Sequence, residues 1–136
     1  MYKNLLVPMA LDHGISPQTI EIARTLRSEG GTITALHIFE APQGTVAAYV
    51  DEKIVKDAYQ RAKDVMNEKL SGLDDVTGQI IDGHTARAII EYADTHDIDC
   101  IVMGSHKPEL SDYLLGSTAT RVARHASCAV HIHRTN

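Results

Sequence analysis

The sequence predicts an α/β protein built on a parallel sheet, and two features carry that prediction. Short apolar runs without period-two alternation recur: "NLLVPM" (4–9), "TITALHIF" (32–39), "GQII" (78–81), "CIVM" (100–103) and "AVHI" (129–132). Such runs suit strands covered on both faces. Between them lie stretches with the helical period. Alternation of the two builds a parallel sheet through right-handed crossovers, with helices on both faces.

In chain order, the first strand over 4–9 is followed by a helix predicted from Gln18 to Ser28, ended by Gly30 and Gly31. The second strand covers 32–39. Residues 41–50, "APQGTVAAYV", form the one soft connection, where mobility is expected. A second helix runs from about Asp51 to Leu70, with Ile54, Ala58, Ala62, Val65 and Met66 inward. After the third strand, Ala86, Ile89, Ile90 and Ala93 are spaced i, i+3, i+4, i+7, and after the fourth strand Ala119, Val122, Ala123 and Ala126 repeat that spacing. The fifth strand closes the order β-α-β-α-β-α-β-α-β. No internal repeat or linker divides the chain, so residues 1–136 read as a single domain.

The totals narrow the class. The hydrophobic fraction is 43% and the charged fraction 23%, with acids and bases interspersed. Disorder and fibrous classes do not fit that mixture. A net charge of -5 without a basic cluster argues against nucleic acid as the main partner. No run approaches a membrane span, and Pro8 and Asp12 interrupt the apolar N-terminus before it reaches the length of a secretory core. Cys100 and Cys128 begin apolar runs and read as reduced core thiols, as suits a cytoplasmic protein.

In open α/β sheets, ligands bind beyond the carboxyl ends of the strands, where the strand order reverses. The segment "GSHKPELSDYLLGST" (104–118) leaves the fourth strand at that end. Gly116, Ser117 and Thr118 stand just before the last helix, where unpaired N–H groups and the positive dipole end favour an anion. Gly104 allows a sharp exit, and Lys107 supplies charge. An ordinary N-cap at Ser117 or Thr118 explains the same residues at a gain of about 1 kcal/mol. Both readings stay open on this chemistry, because neither G-x-x-x-x-G-K-[ST] nor G-x-G-x-x-G is present.

The combination of "YKNLLVPMA", "ALHIFE" and "DIDCIVMGSHKPELSDYLLGSTATRVARHASCAVHI" resembles the universal stress protein family over essentially the full length. The resemblance implies a doubly wound, Rossmann-like (HUP-type) open sheet of five parallel strands in the order 3-2-1-4-5. It also implies a homodimer through residues 129–134. Many members bind ATP with the pattern G-x2-G-x9-G-[ST]. Gly104 matches the first glycine, Gly116 the last and Ser117 its hydroxyl partner, with Thr118 following; these would hold phosphates. Pro8 and Met9 match the end of the first strand beside the ribose, and Ile38 matches the position whose backbone meets the adenine. Met103, Ser105 and His106 belong to the same implied set.

This chain departs from the pattern twice. Lys107 replaces the middle glycine and the loop is one residue shorter, so "SHKP" resembles the subgroup reading S-[HR]-[RKN]-P, with Pro108 stiffening the backbone and Lys107 acting as a point charge. The first strand reads "VPMALD" where the family commonly reads V-P-[VIT]-D. Ala10 therefore occupies the acid's place. Asp12 recovers a ribose contact only if the loop carries it round.

The implied function is a cytoplasmic, nucleotide-dependent regulatory or interaction protein of the stress response, not an enzyme, that binds ATP or another adenine nucleotide, with or without Mg. The alternatives are a homodimeric module of the same fold that binds no nucleotide, and a weak ATPase or adenylyl-transfer relative for which no HxGH-type helix start exists. His131 and His133 share one face of the last strand and would approach their copies across an antiparallel dimer. A hydrated interface is the expected use of that pair rather than zinc, since no Cys or acid stands at ligand spacing. His84 and His96 flank a helix and receive no chemistry.

Overall fold

A computed structural model describes residues 1–12, 14–40, 51–105 and 115–134. The elements are β1 (Tyr2–Pro8), α1 (Pro17–Leu26), β2 (Arg27–Phe39), α2 (Glu52–Lys69), β3 (Val76–Asp82), α3 (Thr85–Thr95), β4 (Cys100–Gly104), α4 (Ser117–His125) and β5 (Ala129–His133). The strands form one sheet of order β3-β2-β1-β4-β5, and every pairing between them is parallel. The expected architecture and strand order are both present.

Alternation along the central strands sorts the core into two layers. Leu6, Leu36, Ile38, Ile101 and Met103 pack against Ala86, Ile89 and Ala93 of α3 and Ala119 and Val122 of α4. On the opposite face Leu5, Val7, Ile33, Cys100 and Val102 meet Ala23 of α1, while Met9 and Ala35 meet Met66 of α2. The middle of β1 and nearly all of β4 are buried on both faces because helices cover both sides there, whereas the edge strands β3 and β5 keep exposed positions. Cys100 is buried as expected, and burial pushes its thiol up to about 11, so it stays protonated at neutral pH. Cys128 is half-buried at the edge of the α3–α4 layer.

Three expectations at the level of elements need correction. α1 ends at Leu26, not Ser28, because Arg27 is already extended at φ -73 and ψ 130 and pairs with Tyr2 of β1. Gly30 and Gly31 therefore lie within β2, at a bulge where the β1–β2 register jumps between Tyr2↔Arg27 and Asn4↔Thr32. Gly30 takes φ +78 there, and a Cβ on Gly31 would meet the Lys3 carbonyl oxygen at 2.9 Å. Ile54 is 60% exposed, since the buried residues of α2, Ala62 and Met66, lie in its C-terminal half and Tyr59 is the next to reach the sheet, at Phe39 and Ile80. Ala123 is exposed too, because Ala119 and Val122 alone supply the buried face of α4. The connection 41–50 lies outside the described residues.

An ion-pair cluster closes the amino-terminal end of β3. The Arg24 guanidinium donates from Nε and Nη2 to both oxygens of Asp75 at 2.9 and 2.8 Å, and Arg27 approaches the same carboxylate at 3.2 Å. The hydrogen bond from Arg24, aided by the two positive charges, lowers the Asp75 carboxyl to about 2 from 3.8. A carboxyl depressed in the folded state adds stability above its unfolded pKa and loses it as pH falls through the folded value. Stability should therefore decline between about pH 4 and pH 2 with a contribution from Asp75. Asp75→Asn should flatten that part of the curve and cost about 0.5–1 kcal/mol at neutral pH, as expected of a partly exposed bidentate pair. Urea melts of both proteins across this pH range check it; parallel curves would contradict it.

Candidate functional site

β1 and β4 separate at their carboxyl ends, where the strand order reverses. Their pairing is limited to Leu5↔Cys100 and Leu6↔Ile101, although β1 continues to Pro8 and β4 to Gly104. The gap opens into a cavity of about 280 Å³, lined by Pro8, Met9 and Ala10 after β1, Leu36, His37 and Ile38 of β2, Thr85 and Ile89 of α3, Met103 and Gly104 of β4, and Thr118 of α4. Its size is near the lower end of small-molecule sites, about 300 Å³. The walls are mainly apolar, so they suit a flat ring rather than a charged group.

The Met9 peptide is held from both sides. Its N–H donates to the Leu36 carbonyl at 2.9 Å, and the ring Nδ1 of His37 donates to the Met9 carbonyl at 3.2 Å. A carbonyl only accepts, so His37 carries its proton on Nδ1. Ala10 and Gly14 then form an isolated antiparallel bridge, with the Gly14 N–H donating to the Ala10 carbonyl at 2.8 Å. This turn leaves Asp12 exposed and outside the cavity lining.

At the other wall, the Gly116 N–H donates to the Ser105 carbonyl at 2.6 Å and ties together the two ends of the 104–118 loop. Gly116 is the N-cap of α4 and offers no side chain to the helix start. The ordinary reading of Ser117 or Thr118 as an N-cap is thus corrected: they occupy the first turn itself. By helix geometry, the N–H groups of this turn lack intrahelical acceptors. Thr118 is half-buried and faces the cavity, whereas Ser117 is exposed. Ser105 is buried, 1% exposed.

Of the residues singled out in the sequence, the structure gathers Pro8, Met9, Ala10, Ile38, Met103, Gly104 and Thr118 around this one cavity. Gly116 and Ser105 stand behind the wall, and Asp12 stands apart. His106, Lys107 and Pro108, with the S-[HR]-[RKN]-P reading, lie outside the described residues. Sequence reasoning missed Leu36, His37, Thr85 and Ile89. His37 was hidden inside a strand pattern, and Thr85 and Ile89 join the site only through the crossover that packs α3 over the sheet.

A second, polar cavity of about 310 Å³ adjoins the first across Thr85 and Thr118. It is lined by Glu40, His84, Ala86, Arg87, Ser117 and Arg121 besides those two threonines. The Glu40 Oε1 accepts from the Thr85 hydroxyl at 2.7 Å and from the Thr85 N–H at 3.3 Å. These bonds, the hydroxyl's foremost, lower its pKa and keep it ionised. Glu40 thereby caps α3, whose own N-cap His84 makes no such bond.

The paired histidines of the last strand do not behave as expected. His133 is 7% exposed and turned against its own α1, with Nε2 2.6 Å from the Thr19 hydroxyl, which in turn is 2.8 Å from the Ser16 hydroxyl. Burial lowers its pKa and favours the neutral ring. His131 remains exposed, so the two do not form one surface. No group of three or more His, Cys, Asp or Glu among the described residues is arranged to hold a metal ion.

The universal stress protein family model matches residues 1–134. The chain belongs to that family. Among curated relatives, a universal stress protein of Methanothermobacter thermautotrophicus is 27% identical over 145 residues, covering 99% of this chain and 97% of the relative. Universal stress protein G of Escherichia coli O157:H7 is 26% identical over 142 residues, covering 98% of this chain and all of the relative. A solved universal stress protein from Lactobacillus plantarum superposes with a TM-score of 0.74 at 25% identity, with 98% of each chain covered. Two more distant structures of this fold were solved with adenine nucleotides. One is a universal stress protein in complex with cAMP, TM-score 0.62, and the other an Archaeoglobus fulgidus protein in complex with dAMP, TM-score 0.53. No described helix of this universal stress protein is long and apolar enough to cross a membrane.

Proposed function

We propose that this universal stress protein binds an adenine nucleotide between the carboxyl ends of β1, β2 and β4. The observation that carries the proposal is the apolar cavity bordered by Pro8, Met9, Ile38 and Met103 and closed on one side by Gly104 and Thr118. An adenine ring fits the apolar part and loses water there, while the first turn of α4 presents N–H groups and a hydroxyl to phosphate. The cAMP and dAMP complexes of fold relatives support the choice of base.

In this reading Gly104, Ser105, Gly116, Ser117 and Thr118 form the phosphate side, together with His106 and Lys107. Pro8, Met9 and Ala10 flank the ribose and Ile38 meets the base. Asp12 is not part of the pocket wall, so ribose recognition falls to the backbone around Met9. The nucleotide is ATP or a related adenine nucleotide, with or without Mg, and its occupancy controls contacts of a cytoplasmic homodimer formed through β5 and residues 129–134. No nucleic acid or membrane partner is needed, and the net charge of -5 disfavours the former.

In this reading the protein acts by binding rather than by turnover: among the described residues the base slot is lined by no carboxylate, and Glu40 of the adjoining cavity is held on Thr85. The purified protein, denatured and filtered, should release an adenine nucleotide identifiable by mass, and should liberate phosphate from ATP no faster than buffer. Steady phosphate release abolished by Asp12→Ala would replace this reading with the enzyme. A nucleotide-free protein that gives no ATP titration signal would leave the interaction module.

A further inference from the structure

The polar cavity beside the base slot is locally positive although the chain as a whole is negative. Two arginines, Arg87 and Arg121, face one carboxylate, Glu40, in a protein of net charge -5. Their partners differ. Arg87 reaches Glu91 at 3.4 Å, with both side chains mostly exposed. Glu40 is held on Thr85. Arg121 makes no hydrogen bond or ion pair among the described residues, yet it lines the cavity with Ser117 and Thr118.

The two helices that border this cavity are therefore treated unlike each other. Glu40 already supplies an anion to α3, and its ionised carboxylate repels a second one from that end. Among the described residues α4 has no acid in its first turn and no side-chain cap, and beside that turn stands the Arg121 guanidinium. A planar guanidinium offers donors in a fork that matches phosphate oxygens. The cavity continues the base slot through Thr85 and Thr118, so one elongated ligand can occupy both.

We propose that Arg121, with Arg87 as an outer charge, receives the distal phosphates of the nucleotide, so that this protein selects nucleoside di- and triphosphates over monophosphates. The inference rests on the adenine-nucleotide reading above and adds the residue that sets the length of the phosphate chain. Arg121 contacts the ligand beyond the α-phosphate, and Glu40 keeps the chain on the α4 side.

Calorimetric titration of AMP, ADP, ATP and inorganic tripolyphosphate into the wild-type protein and Arg121→Gln tests this. The wild type should hold ATP at least about tenfold more tightly than AMP, a difference of about 1.4 kcal/mol. In Arg121→Gln that ratio should fall toward one, and tripolyphosphate binding should be lost. Arg121 is exposed, so the variant should fold, as circular dichroism would check. An ATP-to-AMP ratio that is the same in both proteins, or a wild type that does not discriminate, overturns the proposal. If no nucleotide binds but tripolyphosphate binds in an Arg121-dependent way, the base slot is wrong and the anion pocket stands. If neither binds, both fall.

Discussion

Thr118→Trp should reduce adenine-nucleotide affinity by at least about a hundredfold, some 2.7 kcal/mol on the binding scale. Thr118 borders both cavities and is half-buried at the first turn of α4. An indole there fills the junction through which a nucleotide passes from the base slot to the phosphate pocket. It also removes the one hydroxyl of α4 that both cavities share with the sheet side of the site. The helix itself should persist, because its packing depends on Ala119 and Val122, which are untouched. Competition with a fluorescent adenine nucleotide measures the loss, and thermal melting confirms that the fold remains. Affinity within threefold of wild type would mean that the ligand does not pass this point.

The largest effect on stability should come from Ile101→Ala. Ile101 has no exposed surface and sits on β4, between β1 and β5, in the layer of Leu6, Ile89 and Val122. Truncating a fully buried isoleucine removes apolar contact and leaves a cavity that the two flanking strands cannot close. The expected cost is about 2–5 kcal/mol, or about 10 °C in Tm for a domain of this size. Ile54→Ala is the matching control. The helical pattern placed Ile54 inward, but it is 60% exposed, so its removal should change stability by less than about 0.5 kcal/mol. Chemical denaturation of the two variants decides the contrast, and equal losses would contradict the assignment of the core.

These two isoleucines also mark what was legible in the sequence. Ile101 lies in "CIVM", a run short enough for a strand and apolar on both sides, and such a run has one stable place in an α/β sheet. Ile54 fits a helical period just as well. Periodicity says which residues share a face, but not how far along a helix the sheet reaches. The end of α1 failed for a related reason: Gly30 and Gly31 resemble a helix stop, yet Arg27 leaves the helix earlier to pair with Tyr2 and to reach Asp75. A long-range partner overrode the local signal.

The site divides in the same way. Gly104, Ser117 and Thr118, which border the two cavities, were readable because a helix start after a strand end has a local signature. Thr85, Ile89 and His37 carry no such signature: Thr85 and Ile89 reach the cavity because the crossovers place α3 against the sheet, and His37 because β2 lies beside β1. Glu40 and Arg121 are separated by 81 positions in the chain (121 − 40) and share a pocket wall. No spacing rule connects them. His133 illustrates the opposite error, since alternation correctly placed it on one face with His131 but could not reveal that α1 covers only the end of β5.

Adenine-nucleotide binding in the slot between β1 and β4 is open to direct measurement. ATP titrated calorimetrically into protein first stripped of bound nucleotide should give saturable heat with one nucleotide per chain, displaced by excess unlabelled ADP and absent from Thr118→Trp. A flat titration at ligand concentrations up to the millimolar range, with protein shown to be folded, would contradict it.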